Sequence, residues 1–332
     1  MTSRSLALLP RYLAPSAWWE HVPVAHWLVE RLQPKAIVEL GSHYGVSFFA
    51  FCEAAEAFSP ETFVYAVDSW EGDEQAGIYG DQVYNQVARE QEARHRSRSR
   101  LVRSSFDEAA AHFSASSIDL LHIDGLHTYD AVKHDVETWR SLVQPEGVIL
   151  FHDINVREND FGVWRLWDEL TSQPGSHGIS LSNGHGLGIL CLSSQAPPWL
   201  SELIELQPLL QAKGCLLAQI SQLRPEGEWN ELDHRPYKLQ LREAQQAIEQ
   251  IRREHDDACA HLQAVHKAQL HALDQNVNTV SQENAFLQNS IRQLQTELLE
   301  MRTSSSWKLT APFRRAARLF GPSKPDQCSQ GL

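Results

Sequence analysis

The segment from Ala36 to Ser47 constrains the fold more than any other part of this chain. An apolar strand-like run, Ala36-Ile37-Val38-Glu39-Leu40, leads into a turn bounded by Gly41 and Gly45 and then into a helix start at Val46-Ser47. A strand that stops at a glycine turn beneath a helix N-terminus forms a receptor for nucleotide-sized anions and hydroxyls. Two glycines do not complete the three-glycine dinucleotide fingerprint. A second run, Phe63-Val64-Tyr65-Ala66-Val67, ends in Asp68, 23 positions after Gly45. An acidic group about 20 residues past the glycine turn is where doubly wound sheets hold a ribose diol.

Short β-rich runs then alternate with helical stretches: Leu101 to Val102, Ile118 to Ile123, Gly147 to Phe151, Ile179 to Leu181 and Gly188 to Leu192. Such alternation predicts a parallel sheet covered by helices on both faces. The last two runs flank Ser182-Asn183-Gly184-His185-Gly186 and read as a closing antiparallel pair. The expected fold is α/β, a Rossmann-like seven-stranded sheet of the methyltransferase type, followed by a long C-terminal coiled-coil helix.

The flanks divide the chain further. Residues 1–35 form a helical lead-in whose aromatic stretch, Ser16 to Val29, either packs on the sheet or acts as a lid over the site. The sheet domain takes 36–195, and a helical connector punctuated by Pro197-Pro198 and Pro225-Glu226-Gly227 takes 196–235. From 236 to 302 the composition shifts to Gln, Glu, Ala, His and Leu, with no Gly or Pro between Tyr237 and Ala311. Apolar residues recur there at alternating three- and four-residue spacing. They run from Leu241 through Ala244, Ile248, Ile251, Ala258 and Leu262 to Val265. After a one-residue skip they continue as Leu270, Leu273, Val277, Val280, Leu287, Ile291, Leu294, Leu298 and Met301. This is a coiled-coil pattern, in which Asn284 at a core position favours a defined register and low oligomer number. The competing reading is a single amphipathic helix folded onto the sheet domain.

The tail, 303–332, is basic and amphipathic: between Arg302 and Phe320, the basic residues Arg302, Lys308, Arg314, Arg315 and Arg318 interleave with Trp307, Leu309, Phe313, Leu319 and Phe320. It suits an anionic membrane interface or a docking site on a partner protein.

Charge and cysteine content narrow the functional classes. A formal charge of -13 opposes nonspecific nucleic-acid binding, which needs a positive face. The five cysteines contain no CxxC pair and read as reduced thiols rather than a zinc or disulfide framework. No apolar run approaches the roughly 20 residues of a membrane span, and no signal-peptide pattern opens the chain, so a cytoplasmic protein is expected.

The candidate chemistry lies at two later strand ends. Ile118-Asp119-Leu120-Leu121-His122-Ile123 delivers Asp124 and, three residues on, His127; Val148-Ile149-Leu150-Phe151 delivers His152 and Asp153. The C-terminal edge of a parallel sheet is where ligands bind, so these four residues are expected to converge. Carboxylates and imidazoles at one point suit a divalent cation, Mg2+ or Mn2+, held by Asp124, His152 and Asp153. The cation would hold a substrate diol and acidify the hydroxyl to be alkylated. His127 has the chemistry of a general base, with an unperturbed pKa of about 6.5. His122, inside the strand, reads as a structural histidine.

Together, Glu39 to Gly45, Asp68, Asp124-Gly-Leu-His127-Thr-Tyr129 and Phe151-His152-Asp153-Ile154 resemble a class I S-adenosylmethionine-dependent methyltransferase. More narrowly they resemble the branch of macrolide sugar O-methyltransferases and cephalosporin hydroxylase-like proteins, over about residues 14–195. The resemblance implies that Glu39, Gly41, Ser42 and Gly45 line the methionine part of S-adenosylmethionine, that Asp68 holds its ribose, and that Ser105 and Asp107 meet the adenine edge. It implies metal ligation by Asp124 and Asp153 and a base at His127, with Asp124 sharing the catalytic role. Metal-dependent members often place two adjacent acidic residues where this chain has His152-Asp153. His152 is therefore either a neutral nitrogen ligand or an orienting group for the acceptor without metal.

The coiled coil with its Ser-Ser-Trp-Lys-Leu-Thr-Ala-Pro ending is similar to tails of bacterial capsule and O-antigen assembly proteins. That implies a sugar or glycan substrate, a homo-oligomer, a glycosyltransferase partner or an anionic membrane surface, and a peripheral position at the inner membrane. The alternatives are a metal-dependent hydroxylase-like relative and a non-catalytic scaffold of a glycan assembly complex.

Overall fold

A computed structural model describes residues 3–73, 75, 77–222, 238–310, 312 and 314. The Pro225-Glu226-Gly227 punctuation of the connector and most of the basic tail, including Phe313, Arg315, Arg318, Leu319 and Phe320, lie outside the described residues. The chain forms two compact units, residues 1–254 and 255–332.

The first unit is built on a seven-stranded sheet. Its strands are β1 (Ala36–Leu40), β2 (Phe63–Asp68), β5 (Ser99–Arg103), β6 (Ile118–Ile123), β7 (Val143–His152), β8 (His177–Leu181) and β9 (Leu187–Cys191); β3 (Gly72–Asp73) and β4 (Gly77–Ile78) form a separate small hairpin. The order across the sheet is β5-β2-β1-β6-β7-β9-β8, parallel except for β9, which runs antiparallel to both β7 and β8. This is the sheet expected from the sequence. β7 extends from Val143, further than its apolar run Gly147 to Phe151 indicated, because a register shift at its start lets Val143 pair with Ile118.

The apolar runs are nearly continuous because each strand is covered on both faces. On one face, Ile37, Val64, Leu120, Leu150 and Ile189 pack beneath α1 (Val22–Leu32), α2 (Val46–Phe58), α3 (Asp81–Glu90) and α7 (Trp199–Gln222). On the other, Val38, Val67, Leu121, Ile149 and Phe151 meet α4 (Phe106–Ala110), α5 (Tyr129–Trp139) and α6 (Val163–Thr171).

The aromatic lead-in belongs to the core: Trp18, Trp19 and Trp27 are almost fully buried. α7 packs against α1 and the 3₁₀ turn Ala17–His21. Its buried Lys213 donates to the carbonyl oxygens of Ser5 and Leu8.

From β1 the chain steps outward to β2 and β5, then returns past β1 to β6 and β7. The direction of winding therefore reverses between β1 and β6, the topological switch point where ligands bind in open α/β sheets.

Beyond the sheet, α8 (Lys238–Thr303) runs unbroken and is followed by α9 (Ser305–Leu309). The absence of Gly and Pro predicted this continuity. Among the described side chains of α8, Leu270, Leu273, Val277, Val280, Leu287, Ile291, Leu294, Leu298 and Met301 are all exposed. No described helix is long and apolar enough to cross a membrane.

Candidate active site

A cavity of about 480 Å³ opens at the switch point, within the range of small-molecule sites. One wall is the β1–α2 turn. Gly41 adopts φ +83°, and a Cβ there would fall 2.0 Å from the Asp124 carbonyl oxygen, so the ends of β1 and β6 approach closely only because this residue is glycine. Asp68 organises the same turn. Its Oδ2 accepts from the amides of Ser42 (2.8 Å) and His43 (3.0 Å), and its Oδ1 from the Trp70 amide (2.7 Å).

The opposite wall is a cluster of acids and imidazoles. His152 Nδ1 lies 3.0 Å from Asp124 Oδ1 and 3.2 Å from Asp153 Oδ2; His127 Nε2 lies 2.8 Å from Asp153 Oδ2 and 3.5 Å from Asp124 Oδ1. His185 adds Nδ1 at 2.9 Å from Asp153 Oδ1. Asp153 holds these three imidazoles from a left-handed backbone, φ +61°, a conformation that costs a non-glycine residue about 1–3 kcal/mol and gathers at functional sites.

His127 is itself fixed from several sides. Gln75 Oε1 sits 3.0 Å from its amide nitrogen and 2.9 Å from Nδ1. With Nδ1–H donated to that oxygen, Nε2 is left facing the two carboxylates. Phe161 stacks on the ring at 4.6 Å and 6°, and the Gly162 amide donates to the His127 carbonyl at 2.7 Å.

Burial alone would lower His127 and His152, but the carboxylates of Asp124 and Asp153 outweigh it and raise them to about 9 and about 10. Burial opposes ionisation of Asp124 and Asp153 too, and the facing imidazoles nevertheless hold both below the ordinary carboxylate range. Two carboxylates thus face two imidazoles and favour their charged forms. The unperturbed imidazole value of about 6.5 is therefore raised at His127, which acts as a base only after losing the proton that the carboxylates hold on it.

The same residues fit a divalent cation. One ligand atom from each of Asp124, His152 and Asp153 lies within 4.8 Å of the others. A +2 ion would carry the charge that the two imidazole protons supply, and a mixed oxygen and nitrogen donor set suits Mn2+ better than Mg2+.

The expected residues divide in their placement. Gly41, Ser42, Asp68, Ser105, Asp124, His127, His152 and Asp153 line the cavity. Glu39 does not. It is fully buried, accepting from Ser42 Oγ at 2.5 Å and lying 2.9 Å from His122 Nδ1, because the β1–β6 register sets Glu39 beside His122. Gly45 serves as the left-handed cap of α2 outside the lining, and Asp107 is exposed, paired with His134 at 2.8 Å. His122 is the structural histidine expected, and it also accepts from Trp18 Nε1 at 3.1 Å.

Trp18, from the aromatic stretch that was read as either core or lid, also lines the cavity, and among the lining residues the sequence did not single out are Gln75, Phe161 and His185. His185 was legible only as part of a turn. Its nearness to Asp153 arises because β9 pairs with β7 and brings that turn back over the sheet edge. Gln75, between β3 and β4, carried no sequence signal.

Residues 38–154 match the family model described as "Methyltransferase domain". The matched segment begins in β1 and ends just after Asp153, so it contains the glycine turn, Asp68, Asp124, His127, His152 and Asp153, while Trp18, Phe161 and His185 lie outside it. An uncharacterized protein of Sinorhizobium fredii, y4gI, is 47% identical over 182 residues, which are 54% of this chain and 20% of that protein. The chain therefore spans about a fifth of the length of the curated relative it matches. Similar solved structures include the O-methyltransferase TomG of Streptomyces achromogenes in complex with S-adenosylmethionine. It is 14% identical, with a TM-score of 0.41, over 58% of this chain and 91% of that one. The O-methyltransferase of Bacillus cereus with S-adenosylhomocysteine is 16% identical, with a TM-score of 0.41, over 55% and 84%.

Proposed function

We propose that the methyltransferase domain transfers a methyl group from S-adenosylmethionine to a hydroxyl, and that the acceptor is a sugar of a bacterial surface glycan or its precursor. The observation that carries this reading is the two-walled cavity, with a glycine turn and Asp68 on one side and the Asp124, His127, His152 and Asp153 cluster on the other. The family match over the glycine turn, Asp68 and the Asp124, His127, His152 and Asp153 cluster supports it. The glycan acceptor rests on the resemblance of the site motifs and of the C-terminal segment. A glycosyltransferase partner and a peripheral position at the inner membrane belong to the same proposal.

S-adenosylmethionine supplies an electrophilic methyl group when bound, and a divalent cation on Asp124, His152 and Asp153 would supply a Lewis acid. The chain's own groups do the rest. Gly41 and Ser42 leave the cavity wall open for the donor, while Asp68 fixes the turn that carries them. Gln75 and Phe161 orient His127 so that Nε2 faces the acidic pair. Once deprotonated, Nε2 can accept the proton of the acceptor hydroxyl. Trp18 and Phe161 contribute apolar surface to the cavity lining.

Incubation with methyl-labelled S-adenosylmethionine and a glycan extract, with and without chelator, tests the reading. Label in the glycan supports it. Cofactor binding with no transfer under either condition would overturn it, and loss of transfer in Asp124→Ala with His127→Ala would separate catalysis from a scaffold role.

A further inference from the structure

We propose that α8 pairs with α8 of a second copy of this chain as a parallel, in-register, two-stranded coiled coil over residues 270–301. Nine of the eleven large exposed apolar residues from Leu270 to Met301 fall on one seam of alternating three and four spacing; Phe286 and Leu299 lie beside it. With Leu270 as the first a position, the a residues are Leu270, Val277, Asn284, Ile291 and Leu298, and the d residues are Leu273, Val280, Leu287, Leu294 and Met301. Every d residue is apolar, and Asn284 is the one polar residue in the seam.

Asn284 decides orientation and register. An antiparallel pair sets a against d, so it would face Asn284 with an apolar side chain in every register. A parallel pair slipped by one heptad would face it with Val277 or Ile291. Only the parallel pair in register brings Asn284 against its own copy, where each amide can donate to and accept from the other. An amide buried without that partner would cost about 1–3 kcal/mol.

Strand number follows from the same seam. Val277 and Ile291 at a, with Leu at three of the five d positions, favour two strands, as a single core asparagine does. Charge complementarity agrees at the C-terminal end: Glu297 at g of one helix faces Arg302 at e of its copy. Within one helix these residues are five apart, a spacing at which side chains do not meet.

The full chain at micromolar concentration should sediment at twice the monomer mass. Glu297→Lys should weaken the dimer roughly 2- to 10-fold by placing like charges on both sides of the pair. Adding Arg302→Glu should restore it. Asn284→Leu should raise the dissociation midpoint, because the buried amide costs stability. A monomer at 100 μM, or a mass of three or four chains, would overturn the proposal. So would failure of the charge swap to rescue, or an Asn284→Leu variant with unchanged or weaker association. Circular dichroism of each variant, with helicity retained, excludes unfolding as the cause.

Discussion

Asp153 shows how one residue can set a site: a left-handed backbone at the end of β7 turns its carboxylate toward His127, His152 and His185 together. Gln75 acts on the same cluster through His127. Gln75→Ala removes the oxygen that faces the His127 amide and Nδ1 and should lower methyl transfer about 10- to 100-fold, with S-adenosylmethionine affinity on calorimetry nearly unchanged. Gly41 is limiting in a different way. Gly41→Ala places a methyl 2.0 Å from the Asp124 carbonyl oxygen at φ +83°, so it should lose several kcal/mol of stability in urea, on the order of 3, and cofactor binding with it.

Elements position these residues by packing and by buried polar contacts. Lys213 on α7 donates to the carbonyls of Ser5 and Leu8, and burial lowers its pKa to about 7. The unfolded chain, with a lysine titrating near 10.5, binds more protons between pH 7 and 10.5. Stability should therefore rise with pH through that window, and Lys213→Met should flatten the rise in denaturation curves taken at pH 7, 8.5 and 10. On the other face, Trp167 of α6 lies against Gly188 of β9, where a Cβ would meet its ring at 2.7 Å. Trp167→Ala should cost about 3–5 kcal/mol in urea unfolding, because the strand beneath offers no side chain to fill the space.

For the molecule as a whole, the balanced quartet of two carboxylates and two imidazoles predicts how it answers to metal. Mn2+ should raise the melting temperature of the first unit in a concentration-dependent way, because an ion that binds only the folded state stabilises it by mass action. Asp124→Asn with Asp153→Asn should remove that shift. An equal shift in the variant would show that the ion binds elsewhere.

The sequence by itself determined the elements and their order. Apolar runs of strand length separated by helical stretches, a glycine turn after the first, and polar residues at the ends of the runs Ile118 to Ile123 and Gly147 to Phe151 were enough to write the seven-stranded sheet and to bring Asp124, His127, His152 and Asp153 to one edge. They were legible because periodicity and strand ends are local properties. Only the tertiary structure decided that Glu39 faces His122 inside the sheet, since that depends on the register of two strands whose paired residues are 83 positions apart. It decided as well that Asp68 spends its carboxylate on three backbone amides, and that Gln75 and His185, from a small hairpin and a turn, complete the cluster. The raised pKa of His127 belongs with these, because a pKa is set by the charges and solvent that the fold brings to a group rather than by its neighbours in sequence.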